Sequence, residues 1–338
     1  MKRSLARLSI PFKTPFATSG GVVAARELLL LRLEDDDGAV GYGEAAPFEP
    51  YDGVPLDYVA AALLESAEPG ADAPPQARCA WELALLDLAA RRAGRALGEP
   101  GAERIAVNRT LPAGPPAEVA EQAAEGVRAG FACFKVKVGL PDDAERVGAV
   151  RAAIGPWPAL RADANGAWSV DAAVAAIEEL SLYDLELVEQ PCATLSELAE
   201  LRRRTSVPIA ADESVQNSDD VRTAAALGAC DIVNVKLAAS GGFTAAREAV
   251  RAADKAGLTP FLSSSLDGPW GIAAALQLAA SEDLRLACGL ATLELFDAAI
   301  AQALPGPSDG LLSVPPGPGL GVSVDDAALA EVLVEELG

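Results

Sequence analysis

The residues best suited to chemistry are three lysines and three acids spread over the middle third of the chain. Lys135 and Lys137 stand two apart in the apolar run Phe134–Val138, so in an extended segment both side chains point the same way. Three further apolar runs each end in an acid: Leu160-Arg161-Ala162-Asp163, Leu187-Val188-Glu189 and Ile209-Ala210-Ala211-Asp212. A fourth, Val233-Asn234-Val235-Lys236, ends in another lysine. Singly, each has an ordinary explanation as a helix N-cap or a solvated strand end. Jointly they do not, because adjacent parallel strands lie about 4.8 Å apart, and carboxylates that close repel unless a hard cation with oxygen ligands sits among them. Asp163, Glu189 and Asp212 are therefore the expected ligands of one divalent cation, magnesium by default with manganese as a substitute. A cation holding a substrate carboxylate stabilises the anion left when the neighbouring carbon loses its proton, and a lysine desolvated beside cations has its pKa lowered towards neutrality. Lys137 is expected in that role, with Lys135 adjacent and Lys236 across from them. The chain has no histidine, which removes Ser-His-Asp and Cys-His systems and histidine zinc sites.

For these residues to converge, the chain must bring them to one end of one sheet. From Arg104 onward it alternates strand-like and helical stretches. The strands expected are Ile105–Thr110, Cys133–Val138, Ala159–Asp163, Glu186–Glu189, Ile209–Asp212, Asp231–Lys236, Thr259–Leu262 and Leu284–Ala287. Residues 135, 163, 189, 212, 236 and 261 mark strand ends roughly every 25 residues, the period of a βα unit, and eight such units close into a TIM-type (β/α) barrel. The alternative is an open doubly wound sheet, but no GxGxxG turn follows an early strand. Before the barrel, residues 1–103 read as an α+β unit: strands Ser4–Ile10, Arg26–Leu33 and Gly38–Glu44 in an antiparallel meander, then helical periodicity over Leu56–Ala67 and Pro75–Ala96. The division expected is a capping domain at 1–103, a barrel at 104–304 and a Pro- and Gly-rich segment at 305–338 that returns over the cap and ends in a short helix.

Composition limits the partners. The chain has 338 residues, 51% hydrophobic and 22% charged, enough for a large α/β domain and a smaller one. A formal net charge of -22 disfavours nucleic acid and anionic membrane surfaces, but not a small carboxylate substrate, since a buried metal and lysines reverse the field locally. Five scattered cysteines without a CxxC pair indicate a reducing compartment. With neither a leader-like start nor a membrane-spanning run, a cytoplasmic protein is expected.

The motifs then resemble a known family. KVKVG (Lys135–Gly139), DANGAWS (Asp163–Ser169), VEQP (Val188–Pro191), ADES (Ala211–Ser214), NVKLAASGG (Asn234–Gly242) and GYGEAAPF (Gly41–Phe48) together resemble the muconate-lactonizing-enzyme subgroup of the enolase superfamily, over essentially the whole chain. The resemblance implies a modified, enolase-like barrel with an N-terminal cap, in which Asp163, Glu189 and Asp212 bind magnesium and Lys137 and Lys236 face opposite sides of the substrate. Lys135 would tune Lys137, and Asn165 and Glu213 would lie near the metal without being primary ligands. Glu189–Arg203, Ser263–Gly271 and Ala287–Asp297 are most similar to a dehydratase family of that subgroup, the o-succinylbenzoate synthases of menaquinone biosynthesis. That implies syn dehydration of 2-succinyl-6-hydroxy-2,4-cyclohexadiene-1-carboxylate: Lys137 takes the α-proton, magnesium holds the enediolate, and Lys236 remains a cation over the ring. Ser263, Ser264 and Gly289 would hold the succinyl tail and Arg161 would lie near the substrate carboxylate. Gly268-Pro269-Trp270 departs from many relatives, and NVKLAASGG is also similar to dipeptide epimerases, so N-succinylamino-acid racemase or dipeptide epimerase is the alternative. A non-catalytic binding barrel is a distant third. Substrate specificity is expected from the cap loops Thr14–Val23, with a Gly20-Gly21 hinge, and Phe48–Val54; barrel and cap surfaces are compatible with a homo-oligomer.

Overall fold

A computed structural model of the chain describes every residue except 19, 20, 66, 67, 100, 324 and 338. Gly20, half of the expected hinge, lies outside the described residues.

The N-terminal sheet is built from β1 (Lys2–Thr18), β2 (Gly21–Glu34) and β3 (Val40–Ala45), an antiparallel meander. Leu28 to Leu31 are all buried in β2 without the alternation of a half-exposed strand, because both faces are covered. Leu29, Leu31 and Leu33 pack on helices Leu56–Glu65 and Pro75–Arg92, while Leu28 and Leu30 join the core shared with the barrel. Gly41 and Gly43 let β3 approach the second helix, since a Cβ at either would overlap the carbonyls of Ala84 or Ala80. β1 and β2 run further than the sequence indicates. The stretch expected as the loop Thr14–Val23 continues this hairpin, with Phe16 paired to Val23 beyond a register shift after Pro11. Phe12 anchors it, its ring 5.5 Å from Phe16 and 5.0 Å from Phe296 of the barrel.

The segment Ile105–Thr110 divides in two. β4 (Arg104–Ala106) pairs antiparallel with β12 (Leu311–Ser313), and β5 (Arg109–Leu111) opens the parallel sheet. β6 (Cys133–Lys137), β7 (Ala159–Asp163), β8 (Leu187–Glu189), β9 (Ile209–Ala211), β10 (Ile232–Val235) and β11 (Thr259–Leu262) follow in spatial order. The eighth strand expected at Leu284–Ala287 is replaced by an irregular seam just beyond it. Cys288 N donates to Ala106 O and Asn108 N to Cys288 O, while Gly289 N donates to Leu262 O and Ser264 N to Gly289 O. These bonds join the first and seventh strands and close the barrel.

Beyond the barrel, helix Asp326–Val332 is followed by β13 (Leu333–Leu337), which pairs with β1 at the edge of the cap sheet. The terminal helix expected from the sequence is thus a helix and then a strand; the open edge of β1 offers Leu333–Leu337 backbone partners that a solvated helix end lacks. No helix among the described residues is long and apolar enough to cross a membrane.

Candidate active site

Parallel pairing fixes the heights of the functional side chains. Lys137 is the register partner of Asp163, and Asp163 of Glu189, so these three share one layer at the C-terminal end of the sheet. Glu189 pairs with Ala210, which places Asp212 two residues further along than equal heights would require. Lys236 follows β10, four strands from β6 in an eightfold ring, so it stands across the barrel from Lys137. Lys135, Lys137, Asp163, Asp212 and Lys236 line one cavity of about 90 Å³. Glu189 lies under it, fully buried.

The lysines are interleaved with the acids. Lys135 Nζ donates to both carboxylate oxygens of Glu189 at 3.2 Å and lies 3.0 Å from Asp163 Oδ2. Lys137 Nζ donates to Asp163 Oδ2 at 2.7 Å and to Asn165 Oδ1 at 2.6 Å. Lys236 Nζ bonds to Asp212, donates to the Tyr51 hydroxyl at 2.6 Å and lies 4.5 Å from that ring's centroid. Asn165 Nδ2 donates to Glu213 Oε1 at 2.8 Å, tying the two residues expected beside the ligands to each other. Burial disfavours the charge on Lys135, but Asp163, Glu189 and Asp212 outweigh it and hold the ammonium charged. Asp163 is held well below the usual carboxylate range; burial alone would raise it, but Lys135 and Lys137 overcome that. Glu189, Asp212 and Glu213 are each pushed up, chiefly by burial.

The residue types fit a hard divalent cation. Asp163, Glu189, Asp212 and Glu213 stand among Lys135, Lys137 and Lys236, four acids to three lysines, which leaves room for further positive charge. Every donor is an oxygen, as magnesium prefers. Glu213 Oε2 and Asn234 Oδ1 are buried without a hydrogen-bond partner. The acids are not gathered as a ready coordination cluster: among the described residues no group of three or more His, Cys, Asp or Glu side chains is placed to hold a metal. The ammonium of Lys135 stands where Asp163 and Glu189 converge, and that of Lys236 lies against Asp212.

Three of the four residues expected around the substrate adjoin the cavity. Ser263, Ser264 and Gly289 line it, Ser263 with a buried, unpartnered Oγ and Ser264 with Oγ 2.7 Å from Thr292 Oγ1. A Cβ on Gly289 would meet Ser263 Cβ at 2.8 Å. Arg161 does not adjoin it, a departure from the expectation. As the partner of Lys135 in the layer below Asp163, it is fully buried, donates to Glu186 Oε2 at 2.5 Å and to Ala287 O at 2.7 Å, and stacks on Phe261. Alternation aims Arg161 and Asp163 at the same interior, but two residues of rise separate floor from mouth.

Phe16, Phe48 and Tyr51, from the two cap segments expected to set specificity, also line the cavity; Thr110 in the middle of β5 and Thr292 line it too and were not singled out in the sequence. Thr110 was findable as the polar end of the strand expected at Ile105–Thr110. The contact of Tyr51 with Lys236 was not, since nothing local shows which barrel residue the cap would meet. Gln190 was also missed. Fully buried at φ 38°, it accepts the Asp212 N–H at 2.7 Å and donates to Cys192 O at 2.8 Å, pinning the ends of β8 and β9 together.

A family model described as Enolase C-terminal domain-like matches residues 118–328. The o-succinylbenzoate synthase of Thermobifida fusca (strain YX) is 38% identical over 330 residues, covering 96% of this chain and 91% of that protein. That of Mycobacterium ulcerans (strain Agy99) is 43% identical over 250 residues, 71% of each chain. A solved dipeptide epimerase from Cytophaga hutchinsonii, complexed with Mg and the dipeptide D-Ala-L-Val, has a TM-score of 0.87 at 27% identity, over 99% of this chain and 98% of that one. The chain belongs to the enolase superfamily, as a TIM-type barrel with an antiparallel N-terminal sheet. It is an enzyme, a lyase of that superfamily, and resembles the o-succinylbenzoate synthases within it.

Proposed function

We propose that the chain is an o-succinylbenzoate synthase, dehydrating 2-succinyl-6-hydroxy-2,4-cyclohexadiene-1-carboxylate to o-succinylbenzoate and water in menaquinone biosynthesis. The observation that carries this reading, beside the named relatives, is the asymmetry of the two lysines facing one cavity. Lys137 has a side chain 23% exposed, on the side open to a further cavity past Asn165. Lys236 is 7% exposed and held by Asp212 and the Tyr51 hydroxyl and ring. One side suits a base that gives and takes protons; the other suits a fixed cation.

Asp163, Glu189 and Asp212 would hold one magnesium or manganese ion, with Asn165 and Glu213 beside them. When bound, the ion supplies positive charge for the substrate carboxylate as its α-carbon becomes electron-rich. Lys137 Nζ takes the α-proton, and the C–H electron pair moves toward the carboxylate. The resulting Lys137 ammonium gives its proton to the departing hydroxyl on the same face, the C–O bond breaks, and water leaves as the ring becomes aromatic. Lys135 keeps a second positive charge beside Lys137. Lys236 stabilises the anionic ring by Coulombic and cation–π attraction. Ser263 Oγ and Ser264 would hold the succinyl tail, and the missing side chain at Gly289 would keep space for it beside Ser263. Phe16 and Tyr51 cover the cavity and exclude water. The division into cap 1–103, barrel 104–304 and returning segment 305–338, and a soluble setting in the cytoplasm, belong to the same proposal.

The second reading, an N-succinylamino-acid racemase or dipeptide epimerase, is supported by likeness to the Cytophaga hutchinsonii enzyme and would require Lys236 to exchange protons. The test is a magnesium-dependent assay of o-succinylbenzoate formation, run beside deuterium exchange at the α-carbon of N-succinylamino acids and Ala-Glu dipeptides. Dehydration lost on chelation supports the synthase; exchange without dehydration overturns it in favour of the racemase or epimerase.

A further inference from the structure

Two ionisable residues of the cap reach into the barrel and are buried there, away from the acids and lysines described above. Arg26 on β2 is 2% exposed. It donates to Leu266 O and Ser265 O at 3.2 Å on the barrel side, and to Pro47 O at 2.5 Å and Ala46 O at 2.8 Å on the cap side. Its guanidinium carbon lies 4.8 Å from the centre of the Phe48 ring. Glu44 on β3 is 3% exposed and accepts the N–H groups of Gly268 at 2.7 Å and Gly271 at 3.3 Å, at the start of helix Pro269–Ser281. A Cβ on Gly268 would come within 2.7 Å of Glu44 Oε2, and one on Gly271 within 2.9 Å of Oε1. The Gly268-Pro269-Trp270-Gly271 stretch is therefore shaped around the Glu44 carboxyl. Between the two grips Leu266 takes φ 61°, a left-handed conformation that a leucine keeps only when its surroundings impose it.

The gripped segments form two walls of the cavity. Ser263, Ser264, Ser265 and Leu266 line it from the barrel, and Phe48 and Tyr51 from the cap. One guanidinium with fixed, forked donors spans both walls, a geometry that an ammonium cannot reproduce. We infer that Arg26 and Glu44 are positioning residues that set the strand-seven substrate wall, so that substrate discrimination depends on a buried clamp between cap and barrel. The inference rests on the reading of this cavity as the substrate site.

The clamp acts on substrate fit and leaves Lys137 untouched, so KM and kcat separate. Arg26→Met is expected to raise KM for the cyclohexadiene carboxylate about tenfold or more while kcat stays within about threefold. Arg26→Lys should recover only part of that loss. Glu44→Gln, which preserves volume and keeps one acceptor, should shift KM the same way by roughly threefold, and it serves if Arg26→Met does not fold. Amide hydrogen exchange read by mass spectrometry should accelerate over 263–271 and stay unchanged over 159–163 and 187–189. Unaltered KM in folded variants, or exchange that accelerates equally throughout the barrel, would overturn the clamp in favour of a merely structural role. If the wild-type enzyme does not turn over this substrate, the functional reading has failed, and the exchange pattern then decides the clamp: local acceleration upholds it and its absence overturns it.

Discussion

The barrel interior buries charge in two adjacent layers and balances it differently in each. At the floor, Arg161 meets Glu186 one to one, donates to Ala287 O and stacks on Phe261. At the mouth, four acids face three lysines, and burial pushes up three of the acids. The pair at the floor is matched charge for charge and capped by an aromatic ring, although Arg161 Nη2 has no hydrogen-bond partner, whereas the cluster at the mouth holds more acids than lysines and has a place for a further cation and an anionic ligand. The contrast separates a structural charge from a functional one more sharply than residue type or burial does, since Arg161 and Lys135 are register partners on neighbouring strands.

The comparison breaks if substitutions in the two layers have the same consequence. The largest effect is expected at the mouth: Lys137→Ala should lower kcat for dehydration by about 10³–10⁴-fold, the contribution of a positioned acid–base group, with little change in the thermal unfolding midpoint. At the floor, Arg161→Met should do the reverse. It should cost roughly 1–2 kcal/mol of stability in denaturant unfolding, since Glu186 and Ala287 O lose their donor, while kcat of the folded enzyme holds. A comparable loss of kcat would move Arg161 into the site. Glu189→Gln should weaken magnesium binding by at least about tenfold in calorimetry, and unchanged affinity would remove Glu189 from the ligand set.

A third buried cluster sharpens the comparison, since Arg26 faces both Glu44 and Asp267. Burial, and then the neighbouring Asp267, pushes the Glu44 carboxyl up to about 8 from an ordinary 4.5; burial likewise raises Asp267 to about 6. A raised carboxyl pKa stabilises the fold fully below 4.5, and that contribution is lost as pH climbs through about 8. Stability should therefore fall by up to ~2 kcal/mol between about pH 6.5 and 8.5, and Glu44→Gln should flatten the curve; an unchanged slope in the variant would assign the titration elsewhere. The smallest effect concerns the far wall. Lys236→Arg should retain dehydration within about tenfold if a fixed positive charge suffices, whereas loss as complete as in Lys137→Ala would point to proton transfer at Lys236.

Much of the mouth was legible because strand ends carry period-two alternation and a repeat near 25 residues. Lys135, Lys137, Asp163 and Glu189 each follow from those two regularities, and the paired register sets Lys137, Asp163 and Glu189 at one height. Those regularities do not set Arg161 apart from Asp163, because alternation tells inside from outside and says nothing of depth. They also cannot see the eighth segment, where Cys288 and Gly289 close the barrel by a few backbone bonds and no regular strand.

What the sequence determined by itself is whatever depends on neighbours along the chain: which runs become strands, which face each side chain takes, and which kinds of group stand at the strand ends. Only the tertiary structure decided what meets across distance. It set Tyr51 on Lys236, brought β13 back to β1, and buried Arg26 and Glu44 of the cap against a barrel loop more than two hundred residues away. The physical reason is that burial and pairing of charge depend on three-dimensional proximity, and the local pattern that selects a strand is the same whatever the far wall supplies.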